Sequence, residues 1–230
     1  MVVEVLATPE WLDGPTALPL ADVTVHAVTE RVLAAVAETD SPQGVVAVCR
    51  DVTVGMDVLL AQRPRLVVVL AEVRDPGNAG TIIRTADAAG ADGVVLTRAS
   101  VDPLSGKCVR ASVGSIFHLP VVTGQGVDVL PRLREAGLSV LAADGTATTS
   151  ITDPAVRGLL AGATAWVVGN EAHGVPAPYA DAADQLVAVP LYGRAESLNV
   201  SVATALCLYA SAEAQRQAGS PRDGAPPARH

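Results

Sequence analysis

Short apolar runs alternate along the chain with segments of helical spacing. The runs are rich in Val, Leu and Ile and apolar on both faces, which is typical of strands buried on both sides of a parallel sheet. They cover residues 45–49, 65–73, 93–97, 118–122, 138–143, 163–169 and 186–190. Helical spacing is found at 80–90, 126–137, 152–162 and 197–217. This alternation predicts an α/β domain with a parallel sheet.

The two ends of the chain differ from its centre. Residues 1–64 are rich in proline and contain one readable helix, about 27–39, with one or two strands, so they predict a small appended domain. Residues 65–215 hold the strand and helix pattern of the main domain. Residues 216–230 are poor in apolar side chains and rich in Pro and Gly, which predicts a disordered tail.

Composition narrows the possible functions. The chain has 230 residues, of which 50% are hydrophobic and 17% charged, and this excludes a disordered or collagen-like chain. Its 16 basic and 24 acidic residues give a net charge of −8, so the overall field repels polyanions. A nucleic-acid role therefore requires a local basic site. Aromatic residues make up only 3%, which argues against a stacking platform for single strands.

The sequence contains no pattern typical of a membrane span, a secretion signal or a metal site. No window approaches the roughly 18 to 20 apolar residues of a membrane-spanning helix, and the N-terminus has no basic segment followed by an apolar run. We therefore expect a soluble, cytoplasmic protein. Cys49, Cys108 and Cys207 have no CxxC spacing and no neighbouring histidine at ligand separation. They are interpreted as buried free thiols, and no metal site is expected.

Three glycine-containing segments, each placed after a predicted strand, carry the candidate chemistry. They span residues 75–90, 169–176 and 190–205. In the first, the missing side chains of Gly77 and Gly80 are interpreted as letting backbone amides approach a ligand. In open α/β sheets, ligands bind at the carboxyl ends of the strands. Polar side chains gather at this predicted edge: Asn78, Arg84, Asn170, Glu171, Glu196, Ser197 and Asn199.

The three segments together resemble the motifs of SpoU-type (TrmH-like) RNA ribose 2′-O-methyltransferases of the SPOUT superfamily. The motifs are N-x-G-x-x-x-R from Asn78 to Arg84, G-N-E-x-x-G from Gly169 to Gly174, and P-x-x-G-x-x-E-S-L-N-V-S-x-A from Pro190 to Ala203. They occur in order within residues 66–214. Residues 23–48 also resemble the second half of the L30e-like RNA-binding domain that often precedes this catalytic domain.

The resemblance implies a fold and partners that the residue pattern alone does not. It implies a parallel α/β sheet whose C-terminal segment forms a deep trefoil knot, with residues 190–203 passing through. It further implies a homodimer, an RNA substrate, and S-adenosylmethionine bound among the three C-terminal loops. By position, the cofactor pocket is assigned to Leu141, Ala142, Ala143, Val168, Gly169, Asn170, Val189 and Leu198.

The same resemblance implies roles in catalysis. Arg84 is the expected catalytic residue, and because a free guanidinium is a poor base, it would grip a phosphate, stabilise the forming alkoxide or pass the proton indirectly. Asn78 and Asn199 would hydrogen-bond Arg84, the ribose or the loop backbones, and Ser197 would position the hydroxyl. Glu171 would orient an arginine near the site. A local basic patch is predicted from the charged residues Arg84, Arg98, Lys107, Arg110 and Arg194.

Two alternatives remain open at this point. The first is a catalytically silent RNA-binding protein that keeps the fold, and the retained motif residues argue against it. The second is a dinucleotide-dependent oxidoreductase, which lacks its G-x-G-x-x-G fingerprint here. The sequence does not distinguish ribosomal from transfer RNA, identify the modified nucleotide, or separate a housekeeping role from antibiotic resistance.

Overall fold

The computed structural model describes residues 1–14, 22–37, 39, 41–170 and 174–219. The chain divides into two compact units, the first from Met1 to Val52 and the second beginning at Thr53. Residues 53–64, assigned from sequence to the N-terminal domain, belong to the second unit. Met56 and Leu59 from this stretch lie buried in its core.

The first unit is a small three-stranded sheet with two short helices. Its elements are β1 (Val2–Ala7), α1 (Pro9–Leu12), β2 (Thr24–Ala27), α2 (Glu30–Val36) and β3 (Val45–Cys49). The strand order is β2-β1-β3, with β1 parallel to β2 and antiparallel to β3. The prediction that residues 45–49 form a strand of the buried parallel sheet is therefore wrong. That strand is only partly buried and closes an antiparallel pair with β1.

The second unit contains a six-stranded sheet in the order β6-β5-β4-β8-β7-β9, and every pairing in it is parallel. The strands are β4 (Leu66–Leu70), β5 (Gly93–Thr97), β6 (Val121–Gln125), β7 (Ser139–Ala143), β8 (Thr164–Val168) and β9 (Gln185–Val187). All five residues of β4, β5 and β8 are buried. This confirms the α/β fold with a parallel sheet.

Helices connect these strands and cover the sheet. They are α3 (Met56–Ala61), α4 (Pro76–Ala89), α5 (Gly106–Ser112), α6 (Val129–Glu135), α7 (Pro154–Leu160), α8 (Ala177–Asp181) and α9 (Val200–Gln217). The short helices α3, α5 and α8 were not predicted. Because α9 continues to Gln217, the predicted tail starts too early. Residues 220–230 lie outside the described residues.

Several polar side chains of helix α9 point into the core, where they form hydrogen bonds. Ser211 Oγ accepts hydrogen bonds from Trp166 Nε1 at 2.9 Å and from Thr164 Oγ1 at 3.1 Å. Gln215 Nε2 donates to the carbonyl oxygens of Arg65 and Gly162. These bonds offset the cost of burying polar groups. A helix face that contains polar residues therefore lies in the core.

The apolar stripe of α9 faces the other way. Val202, Leu206 and Tyr209 on this helix are each about half exposed. The buried face of α9 is occupied by Thr204, Cys207 and neighbouring residues. Contact of the exposed stripe with a partner helix stays a prediction.

The cysteines are unpaired thiols in two kinds of environment. Cys108 and Cys207 are buried, as predicted, whereas Cys49 is only partly buried. Burial raises the pKa of the Cys108 thiol to about 11 and that of Cys207 to about 12. Both are therefore protonated at neutral pH. Within the described part of the chain, no helix is both long enough and apolar enough to cross a membrane.

Candidate active site

One cleft lies at the carboxyl edge of the parallel sheet, where the segments after β7, β8 and β9 meet the start of α9. Its walls are mainly apolar and glycine-rich, with a few polar side chains. The described residues that line it are Ala143, Asp144, Gly145, Val168, Gly169, Asn170, Gly174, Val189, Leu191, Glu196, Ser197, Leu198, Val200 and Ala203. This is the edge at which a parallel sheet places ligands.

The segment after β8 turns back on itself. Asn170 and Gly174 exchange backbone hydrogen bonds of 3.2 and 2.9 Å, which closes a tight bend. Gly174 has a φ of +67°, a conformation that favours glycine. A Cβ on Gly169 would overlap the carbonyl oxygen of Gly174. Residue 169 must therefore be glycine, because the backbone of Gly174 approaches it too closely for a side chain. Glu171 and His173 lie outside the described residues.

The segment after β7 brings a fixed carboxylate to the cleft. Asp144 Oδ1 accepts hydrogen bonds from Thr146 N at 2.7 Å and from Thr146 Oγ1 at 2.6 Å. The other carboxylate oxygen, Oδ2, is 3.7 Å from the position that a Cβ on Gly174 would take. Asp144 therefore lies opposite Gly174, and one of its carboxylate oxygens already accepts hydrogen bonds from Thr146.

The segment after β9 is irregular and mostly exposed from Leu191 to Asn199. It ends where Asn199 caps α9, because Asn199 Oδ1 accepts a hydrogen bond from Ser201 N at 2.9 Å. Ser197 and Leu198, just before this cap, line the cleft. The cap thus places two of the predicted site residues at the cleft wall.

A hydrogen bond between two predicted site residues ties the first and third motifs together. Asn199 Nδ2 donates to Asn78 Oδ1 at 3.0 Å, across 121 positions of sequence. Asn78 lies in the first turn of α4, and its backbone N–H donates to the helix-capping carboxylate of Asp75 at 2.8 Å. This bond from Asn78, together with Lys107 3.3 Å away, holds the pKa of Asp75 below its ordinary value.

Gly77 and Gly80 both lie inside α4, which begins at Pro76, four residues before its predicted start. For Gly80, the interpretation as a ligand-facing loop glycine is wrong. A Cβ on Gly80 would come within 2.5 Å of the Cys108 carbonyl oxygen and 2.6 Å of the Ala111 Cβ. The missing side chain at 80 is therefore used to let α5 pack closely on α4.

Arg84 lies further along α4, exposed to solvent and outside the cleft lining. It lies six positions after Asn78, a rise of about 9 Å along the helix axis. No carboxylate of the described residues pairs with its guanidinium in an ion pair.

The residues of the predicted basic patch are all exposed, and several of them already have partners. Arg98 Nε donates to the Gly124 carbonyl oxygen at 2.9 Å, and Lys107 forms its ion pair with Asp75. Arg84 and Arg110 lie on α4 and α5, which pack together. The patch itself stays a prediction.

Of the eight residues assigned to the cofactor pocket, six line the cleft: Ala143, Val168, Gly169, Asn170, Val189 and Leu198. Leu141 and Ala142 do not, because they are fully buried inside β7. Sequence reasoning also missed residues that do line it, namely Asp144, Gly145, Gly174, Leu191, Val200 and Ala203. Asp144 and Gly145 could have been found, since they directly follow the predicted strand 138–143.

Comparison with known proteins identifies this arrangement. Residues 65–209, which contain the whole cleft, match the model of the SpoU rRNA methylase family. The chain belongs to the SpoU rRNA methylase family. Among curated SpoU relatives, it is 40% identical over 187 residues to the 23S rRNA (guanosine(2553)-2′-O)-methyltransferase RlmP of Bacillus subtilis. That alignment covers 81% of this chain and 72% of the relative.

Solved structures of SpoU-type enzymes are similar over nearly the whole chain. An AdoMet-bound rRNA methyltransferase from Sinorhizobium meliloti aligns with a TM-score of 0.76 and 33% identity, over 92% of this chain and 80% of that one. The SpoU methyltransferase AviRb from Streptomyces viridochromogenes, in complex with the cofactor AdoMet, aligns with a TM-score of 0.77 and 26% identity. That alignment covers 94% of this chain and 84% of AviRb. The SpoU family therefore accounts for the fold of this chain as well as for its motifs.

Proposed function

We propose that this SpoU family member transfers a methyl group from S-adenosylmethionine to a ribose 2′-hydroxyl of RNA, with ribosomal RNA as the favoured substrate class. One observation carries the proposal: the segments after three neighbouring strands form a single cleft, inside the region that matches the family. The named rRNA 2′-O-methyltransferase relative and the AdoMet-bound neighbours support it.

The residues of the cleft fit this cofactor. Apolar side chains, among them Val168, Val189 and Leu198, offer a surface for the adenine ring. Gly169, Asn170 and Gly174 bring backbone groups close to the cleft, and Asp144 contributes a carboxylate to a positively charged ligand. When bound, S-adenosylmethionine supplies a methyl carbon activated by a positively charged sulfur.

Arg84 is proposed as the catalytic residue. Because a guanidinium is a poor base, Arg84 is proposed to act by charge and hydrogen bonding. Gripping the phosphate beside the target ribose would orient the 2′-hydroxyl, and orientation can contribute several kcal/mol to a rate enhancement. A positive charge near the forming alkoxide would stabilise it in addition.

The asparagine pair is proposed to position this machinery. Asn78 and Asn199 join the first turn of α4 to the N-terminus of α9, so the helix that bears Arg84 is held against the segment that bears Ser197. Ser197 is then available to hydrogen-bond the ribose hydroxyl at the cleft. Glu171, by its place in the second motif, is proposed to orient an arginine of the site.

Further features are proposed from the family resemblance. They are a trefoil knot formed by residues 190–203, an L30e-like substrate-binding character of the N-terminal unit, a homodimer and a cytoplasmic location. The exposed stripe of Val202, Leu206 and Tyr209 on α9 supports the homodimer, because apolar side chains are stabilised when a partner covers them.

Mapping 2′-O-methyl groups in RNA tests the proposed function. Total RNA from cells that express the chain is compared with RNA from cells that express Arg84→Ala, at equal protein levels. We expect at least one new modified ribose, in ribosomal RNA, that is absent with the variant. Identical modification maps with and without the wild-type chain would contradict the proposal.

A further inference from the structure

The charged side chains that line the cleft are all acidic within the part of the chain that the structure describes. They are Asp144, after β7, and Glu196, before α9; the remaining described lining is apolar, backbone, amide or hydroxyl. A cleft with this lining attracts a cation and repels an anion. The sign of the attraction does not depend on how a ligand is oriented inside it, because Coulomb interactions act over several ångströms.

Asp144 is already ordered before any ligand arrives. Both hydrogen bonds from Thr146 go to Oδ1, and Oδ2 faces the bend at Gly174. Since the carboxylate is fixed by its own turn, binding costs little side-chain entropy. Glu196 is exposed, so water and salt screen its charge more strongly.

The methyl donor and the product of methyl transfer differ in charge. S-adenosylmethionine carries one methyl group and one positive charge more than S-adenosylhomocysteine, and both differences are at sulfur. We infer that Asp144, assisted by Glu196, selects the charged methyl donor over the neutral product. This inference rests on the proposed function. It gives the carboxylates a specificity role in the reaction, because their hold on the ligand weakens once the methyl group has been transferred.

Binding calorimetry on the full chain tests the selection without an activity assay. The ligands are S-adenosylmethionine, S-adenosylhomocysteine and sinefungin, a charged analogue with an amine in place of the sulfonium. In Asp144→Asn, the amide oxygen still accepts the bonds from Thr146 while the charge is lost. We expect the ratio of the product Kd to the donor Kd to fall about three- to tenfold. The donor and sinefungin should weaken, and the product should stay within about twofold.

A second cleft variant and a control variant outside the cleft accompany Asp144→Asn. Glu196→Gln should lower the same ratio by a smaller factor, about twofold, because its carboxylate is screened. If Asp144→Asn does not fold, this exposed variant decides the question, and an unchanged ratio overturns the inference. Glu135→Gln, an exposed carboxylate at the end of α6 and outside the cleft lining, removes the same charge as a control and should leave the ratio unchanged.

The outcomes separate this inference from the proposed function. Equal weakening of all three ligands by Asp144→Asn would mean that the carboxylate binds a group that they share, such as the ribose hydroxyls, and would overturn charge selection while leaving the site intact. No effect on any ligand would overturn it as well. A wild-type chain that binds none of the three would contradict the proposed cofactor site itself.

Discussion

Asn199 donates a hydrogen bond from its side-chain amide to Asn78 Oδ1 at 3.0 Å, and so joins two motifs that are 121 residues apart in the chain. The same Asn199 caps α9 through its other side-chain atom, Oδ1. One residue therefore sets the start of α9 and its connection to the first turn of α4. The pair is the point at which the first and third motifs become one site.

Breaking this pair should impair catalysis more than cofactor binding. In Asn78→Ala the hydrogen bond between α4 and the N-terminal cap of α9 is lost, and we expect kcat to fall about tenfold or more. Asn78→Asp keeps an oxygen acceptor for Asn199 Nδ2 and should recover much of that loss. Steady-state kinetics and calorimetry with S-adenosylmethionine measure the two effects. Equal kcat for Asn78→Ala and wild type would contradict the positioning role.

Removing the guanidinium of Arg84 should abolish most of the transfer rate. We expect Arg84→Ala to lower kcat by about a hundred- to a thousandfold, the size found when a charge-stabilising donor is lost. Because Arg84 lies outside the cleft lining, the Kd of S-adenosylmethionine should stay within about twofold. Arg216→Ala, an exposed arginine at the end of α9, is the matched control. A large rise in the cofactor Kd, with kcat retained, would contradict the assignment.

Adding a methyl group at Gly169 should open the bend after β8. The new Cβ would overlap the backbone of Gly174, so the two hydrogen bonds between Asn170 and Gly174 cannot both persist. We expect Gly169→Ala to weaken S-adenosylmethionine binding about tenfold or more, measured by calorimetry. Gly158→Ala in α7, where a Cβ meets open space, is the control and should stabilise the helix by at most about 1 kcal/mol. Unchanged cofactor affinity in Gly169→Ala would show that the bend does not shape the pocket.

Gly80 should behave differently, because its neighbours are protein atoms of α5. A Cβ at 2.5 Å from the Cys108 carbonyl oxygen forces α4 and α5 apart, and we expect Gly80→Ala to lower the free energy of unfolding by about 1–3 kcal/mol. Urea unfolding monitored by circular dichroism measures this. The folded fraction should still bind S-adenosylmethionine with nearly wild-type affinity. Full stability combined with lost cofactor binding would restore the ligand-facing interpretation of this glycine.

The sequence predicts the sheet well because buried parallel strands are long runs of Val, Leu and Ile, as in β4 and β8. It fails at 45–49, where a similar run forms part of a mixed sheet, since strand direction and pairing depend on contacts distant in sequence. The short helices α3, α5 and α8 have too few turns for a clear apolar period.

For the candidate site, motif position predicts which segments converge but not which way each side chain points. Both faces of β7 are covered, so Leu141 and Ala142 are buried inside the strand, whereas Ala143 at its carboxyl end reaches the cleft. Gly80 is a second example. From the sequence alone, a glycine that makes room for a ligand cannot be distinguished from one that makes room for a neighbouring helix. The bond between Asn78 and Asn199 depends on tertiary structure and has no local signal.

A crystal structure of the full chain with S-adenosylmethionine tests the central claim most directly. We expect the ligand in the cleft, with its adenine against Val189 and Leu198, backbone contacts from Gly169, and its methyl group directed towards Ser197, close to the Asn78–Asn199 pair. A ligand bound elsewhere, with this cleft closed by its own side chains, would contradict the account.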